Sequence, residues 1–154
     1  MADMYGEQFG DNAHDAIIGL LEDLVDEMSA DDPKPTTVYP RHHVAGVVLN
    51  SLSVGLDSMV PEWTGVSNGP WPTMIITLSI RVHTAYGDDS IDDRKTSRLM
   101  QSVVNKLFAN LESLGDGYHI RTTTIDNRQR FDESYTGGGV VTAIVEFETY
   151  YDQE

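Results

Sequence analysis

The stretch from Met74 to Leu114 limits the fold most, because it joins two segments whose apolar residues repeat with different periods. Between Met74 and Thr84, Ile76, Leu78, Ile80 and Val82 alternate with Thr77, Ser79, Arg81 and His83. A period of two is that of a β-strand with one buried and one wet face. Gly87, Asp88, Asp89 and Ser90 follow, residue types that turn a chain and cap a helix. From Leu99 onward, Met100, Val103, Val104, Leu107, Phe108 and Leu111 recur at helical spacing and form one apolar stripe. Leu114 closes the stripe and Gly115 stops it. Such a stripe needs an apolar sheet face, and the strand before it supplies one.

The remaining segments complete a layer of helix on sheet. Residues 1–10 have no period and contain two glycines, so they read as a loose arm. Asp11 or Asn12 can cap a helix whose stripe is Ala13, Ala16, Ile17, Leu20, Leu21, Leu24, Val25 and Met28. Asp31-Asp32-Pro33 ends it, and acids near that end oppose the helix dipole. Pro33 and Pro35 open a linker, with Thr36 to Tyr39 as a short extended piece. The apolar run Val44 to Leu49, with the alternating Leu52, Val54 and Leu56, reads as a strand or strand pair within 44–57. Residues 61–72 form a Pro/Gly-rich loop with both tryptophans, which lid the core edge or, if exposed, mark a contact surface. Tyr118 to Ile125 is a strand, residues 126–139 a long polar connection with a glycine tract, and Val140 to Tyr151 a closing strand. The expected architecture is one α+β domain spanning 1–154, a mainly antiparallel sheet with two amphipathic helices on one face.

Charge and composition narrow the function. The chain has no cysteine, which excludes disulfides and thiolate metal sites. No apolar run is long enough to span a membrane, and the acidic start lacks the basic and apolar parts of a signal peptide; a soluble protein made in a cytoplasm is expected. A net charge of −15 argues against direct nucleic-acid binding, which needs clustered Lys and Arg. The charge is also uneven. Residues 1–33 hold ten acids and no Lys or Arg, whereas residues 91–130 hold seven bases against five acids. Such a surface suits a saline environment, or copies that stack head to tail with the acidic face against the less acidic one.

No constellation supports catalysis. Asp88-Asp89-Ser90-Ile91-Asp92 has the DDxxD spacing that holds magnesium diphosphates in large all-helical terpenoid enzymes, but no second metal motif accompanies it. Capping and the helix dipole account for these acids. Adjacent His42 and His43 would point to opposite faces of a strand, which is poor geometry for one metal. His14-Asp15 lacks the second histidine of a zinc helix, and no serine sits in a nucleophile elbow. Gly137-Gly138-Gly139 leads into a strand, so it suits a flexible hairpin tip better than a phosphate cradle. No catalytic, metal or cofactor-binding residue is assigned.

Taken together, the segments HDAIIGLLEDLVDEM, TMIITLSIRVHT, SIDDRKTSRLMQSVVNKLFANL and GGGVVTAIVEFETYY give the chain its closest character. In them it resembles the tail terminator (tail-completion) proteins of long-tailed phages and related viruses. The resemblance implies a small α+β virion protein without catalytic residues, assembled in the host cytoplasm into a hexameric ring at the neck end of the tail. That ring would cap the tail tube, end its polymerisation and dock the head. Its partners would be further copies of itself, the major tail tube protein and a head–tail connector protein, with DNA passing through unbound and no membrane involved. Neighbouring head–tail connector proteins look similar, and a small-ligand-binding or enzymatic domain using the 61–72 loop is the alternative from another class. Strong acidity and the Trp-bearing segment 57–72 set this chain apart from the commoner pattern. Arg128, Arg130, Phe131 and Tyr135, in the long connection, combine bases with aromatics as interface anchors do.

Overall fold

Two helical stripes and an alternating strand need one shared apolar layer, and the computed structural model places them on it. It describes residues 9–28, 35–42, 44–62, 73–86, 93–109, 118–131 and 135–148. In chain order the elements are α1 (Phe9–Glu27), β1 (Val38–Tyr39), β2 (Ser51–Glu62), β3 (Thr73–Tyr86), α2 (Asp93–Ala109), β4 (Tyr118–Phe131) and β5 (Thr136–Glu148). The five strands form one sheet in the order β1-β2-β3-β5-β4. Only the β1–β2 pair is parallel; the others are antiparallel. The α+β expectation holds.

The core lies between the helices and one sheet face. Leu52 and Val54 of β2, Ile76, Leu78, Ile80 and Val82 of β3, and Val141, Ala143 and Val145 of β5 are buried there. Against them pack Ala13, Ile17, Leu20, Leu21 and Leu24 of α1, and Leu99, Met100, Val103, Val104 and Leu107 of α2. Register aligns these residues across the strands, with Leu52 opposite Val82, Ile80 opposite Val141 and Ile76 opposite Val145. Period-2 side chains from three neighbouring strands thus make one continuous face. Phe108 departs from its expected place in the stripe, being about half exposed. Leu111, Leu114, Gly115 and the DDxxD stretch lie outside the described residues.

Acids near the end of α1 find a partner in the other helix. Lys106 Nζ donates to both carboxylate oxygens of Glu27, at 2.7 and 2.8 Å. A cation at this end offsets the unfavourable dipole contact. The helix also begins earlier than expected, at Phe9, so Asp11 lies in the first turn instead of capping it.

Three further expectations are corrected. Residues 44–50 are turns and irregular chain, while β2 begins at Ser51 and runs to Glu62, past the expected start of the Trp-bearing loop. The pattern misled because Val44 to Leu49 is apolar without alternation, and a run of that kind does not distinguish a strand from a covering segment. Trp63 and Trp71 lie outside the described residues. The fourteen-residue connection at 126–139 does not exist as a loop either. Residues 126–131 continue β4 and 136–139 begin β5, leaving only residues 132–135 between the two strands. Finally, the glycine tract is strand and no hinge: Gly137, Gly138 and Gly139 pair with Ala85, His83 and Val82.

The edge strand β4, and β2 beyond its two-residue pairing with β1, carry irregularities that discourage further pairing. β2 has a register shift between Leu56 and Ser58 and contains Pro61, and β4 shifts at Ile120/Thr122 and Asp126/Gln129. Bulges and edge prolines protect a sheet against open-ended extension.

Candidate functional site

The sheet face turned away from the helices carries a chain of hydrogen-bonded polar side chains. Thr136 Oγ1 lies 2.5 Å from His83 Nδ1, and His83 Nε2 lies 2.8 Å from Ser53 Oγ. Ser53 Oγ meets His42 Nδ1 at 2.7 Å, and His42 Nε2 meets Ser79 Oγ at 2.8 Å. Ser79 Oγ then donates to Asp57 Oδ1 at 3.0 Å. Four segments contribute: β5 gives Thr136, β3 gives His83 and Ser79, β2 gives Ser53 and Asp57, and the stretch before β2 gives His42. Ser53 and His83 are fully buried and Ser79 almost so, while His42 is half-buried and Asp57 exposed. The chain therefore runs from the interior to the surface.

With both imidazoles neutral, Asp57 sets the direction of every bond. Ser79 uses its single proton on the carboxylate, so it must accept from His42 Nε2–H. The neutral imidazole of His42 then accepts at Nδ1 from the Ser53 hydroxyl. Ser53, its proton spent, accepts from His83 Nε2–H, which leaves His83 Nδ1 to accept from Thr136. Each group donates once in one consistent sense.

Local sequence explains how the two imidazoles fit. A Cβ at Gly55 would lie 2.5 Å from His42 Nε2, so the glycine makes room for the ring. Phe131 of β4 stands edge-on to His83, with ring centroids 5.1 Å apart at 68°. The Arg81 guanidinium sits 4.8 Å from the centre of the same phenyl ring. Burial, then the neighbouring His42, then Arg81 lower the pKa of His83 to about 4. At neutral pH it is therefore uncharged, as the bond directions require.

This arrangement does not make a nucleophile. In a serine triad the carboxylate orients the imidazole, whereas here it bonds a serine. Ser53, the hydroxyl held between two imidazoles, is sealed from solvent. Among the described residues no group of three or more His, Cys, Asp or Glu side chains is placed to hold a metal ion. His14 is used structurally, its Nε2–H donating to the Val54 carbonyl at 3.0 Å. An open groove of about 320 Å³ between the helices is lined by Leu24, Glu27, Ser102, Asn105, Lys106 and Ala109. No described helix is long and apolar enough to cross a membrane.

The four residues expected at an interface differ in exposure. Phe131 is buried within the subunit against His83, so it cannot anchor a neighbour. Tyr135 is 80 % exposed at the β4–β5 turn, with a positive φ of 54°. Arg130 is exposed on β4; Arg128 lies on the same strand, with its side chain outside the described set. Conversely, alternation along β3 predicts a wet polar face, yet Ser79 and His83 are buried. The available signal was the excess of small hydroxyl residues at Ser51, Ser53 and Ser79, which suits a covered face better than a solvated one. No protein-family model and no curated protein matches this chain.

Replacing Gly55 with alanine should displace His42 and break its bonds to Ser53 and Ser79. The expected loss is about 1–3 kcal/mol, the cost of leaving buried polar groups unpaired. Urea midpoints of the two proteins measure it.

Proposed function

We propose that this protein is a structural component of a tailed virus, a terminator whose ring caps the tail tube and joins it to the head. The observation that carries this reading is the placement of exposed apolar side chains at both ends of one sheet. Leu56, Met59 and Val60 are exposed toward the far end of β2; Tyr86, Tyr135 and Val48 are exposed near the opposite end. Met59 lies eight residue steps beyond Ser51, about 27 Å at strand rise. Two separate contact surfaces allow one subunit to serve two different neighbours, as a ring between tube and head must. Irregularities in the edge strand β4 and in the part of β2 beyond β1 favour a closed assembly over a growing sheet. The net charge of −15 suits a channel wall that lets DNA pass without gripping it. No catalytic role is proposed.

The test is the phenotype of particles made without the protein. Overlong tails in negative-stain images support a terminator. Tailless full heads assign the chain to the head–tail connector instead, and normal particles exclude both. A second measurement concerns β4. Exchanging Arg128 and Arg130 for glutamate should abolish ring formation or tail capping while circular dichroism remains unchanged, because the reversed charges would repel acidic neighbours. Native mass spectrometry and tail-length distributions read the two outcomes; a double variant that assembles and caps normally removes this strand from the interface.

A further inference from the structure

We infer that the stretches 35–42 and 44–50 form a strap latched across the sheet by the His42–Ser53–His83 chain, and that acid releases it while the helical core stays folded. The strap is held mostly by polar bonds. Thr36 N–H donates to the Asn50 carbonyl at 2.7 Å, Leu52 N–H to the Thr37 carbonyl at 2.9 Å, and Asn50 N–H to the His83 carbonyl at 2.7 Å. The Tyr86 hydroxyl donates to the Val47 carbonyl. Pro35 and Val47 are buried, and half-buried Val38 of β1 pairs with β2 and packs against the core, whereas the other described strap residues are exposed or half-buried. A segment with so few apolar anchors opens at lower cost than the helices do. Its side-chain bond into the buried network is His42.

Protons alter that bond pattern in steps. One proton on either imidazole can be absorbed, because the hydroxyls rotate and His83 can exchange tautomers toward Thr136. A second proton leaves Ser53 between two N–H donors, with its own buried hydrogen unpaired. It also sets two cations on one shared oxygen, beside Arg81. Around His83, β2 supplies Ser51 and Ser53, β5 Gly138 and Thr136, and β4 Phe131, none of them charged. The charged or titratable groups described there are His42 on the strap, Arg81 on β3, and Asp57 at the far end of the chain. Asp57 is exposed and, among the described residues, bonds Ser79, so it compensates the inner histidine poorly.

The sign follows from the lowered proton affinity of His83. Its folded value is about 4 against the ordinary 6.5, so the open state binds more protons between these limits. Where opening restores the ordinary value in full, closure weakens as pH falls from 6.5 toward 4, the closed-to-open ratio dropping by up to roughly 150-fold at pH 4.

Hydrogen exchange across that pH range, corrected for intrinsic rates, tests the latch on the full chain. Amides of Thr36, Val48, Asn50 and Leu52 report the strap, and those of Leu99 to Leu107 report the core. The expected result is loss of strap protection on acidification with the core still protected. A His83→Gln protein, which keeps a donor and an acceptor but does not titrate, should lose this dependence. Where that variant fails to fold, His42→Gln serves; removing the neighbouring charge should make the dependence shallower. Constant strap protection, parallel loss in α2, or a wild-type dependence in either variant overturns the latch.

Discussion

A Gly138→Ala protein is expected to lose at least about 3 kcal/mol of stability, because overpacking against backbone has no side chain to absorb it. The added Cβ would lie 1.8 Å from the Val82 carbonyl oxygen and 3.1 Å from Thr84 Oγ1. No rotamer change relieves a contact with a carbonyl in the central strand. β3 and β5 would have to part where His83 opposes Gly138, beside the register shift between His83 and Ala85. Separation there also disturbs the His83–Thr136 bond, so one methyl group reaches both the ladder and the buried chain. Urea unfolding followed by circular dichroism measures the loss. A change below about 0.5 kcal/mol, typical of indifferent surface sites, would mean that the strands do not approach so closely.

Leu107→Ala tests the opposite face of the sheet. Leu107 is fully buried in the cluster that joins α2 to Ile76, Leu78, Ile80 and Val82. Truncation removes apolar contacts and leaves a cavity whose walls collapse only in part, costing about 2–5 kcal/mol. The helix itself should persist, since alanine is the best helix former. Denaturant midpoints again decide. An effect below about 0.5 kcal/mol would place this stripe at a surface and break the layer of helix on sheet.

The two substitutions divide what sequence conveys from what it conceals. Leu107 announces itself: helix geometry alone puts Leu99, Val103 and Leu107 on one side, whatever they pack against. The same holds for Ile76 to Val82 on a strand and for Ala13 to Leu24 on α1. Local period fixes these faces, so the α+β layer and its core were readable from the chain. Gly138 shows the reverse. A run of three glycines describes a flexible tip and a crowded strand equally well, and only the approach of the Val82 backbone selects the second. That choice turned an apparent fourteen-residue loop into two paired strands and buried Phe131. Alternation likewise puts His83 on a wet face, because period two distinguishes two sides without saying what lies across each. His42, forty-one residues earlier, crosses that side, seats its ring over Gly55 and closes the polar chain. The sequence by itself determined which residues share a face. Which of those faces is covered, and by what, was decided by tertiary structure, because burial depends on segments far apart in the chain whose meeting no local repeat encodes.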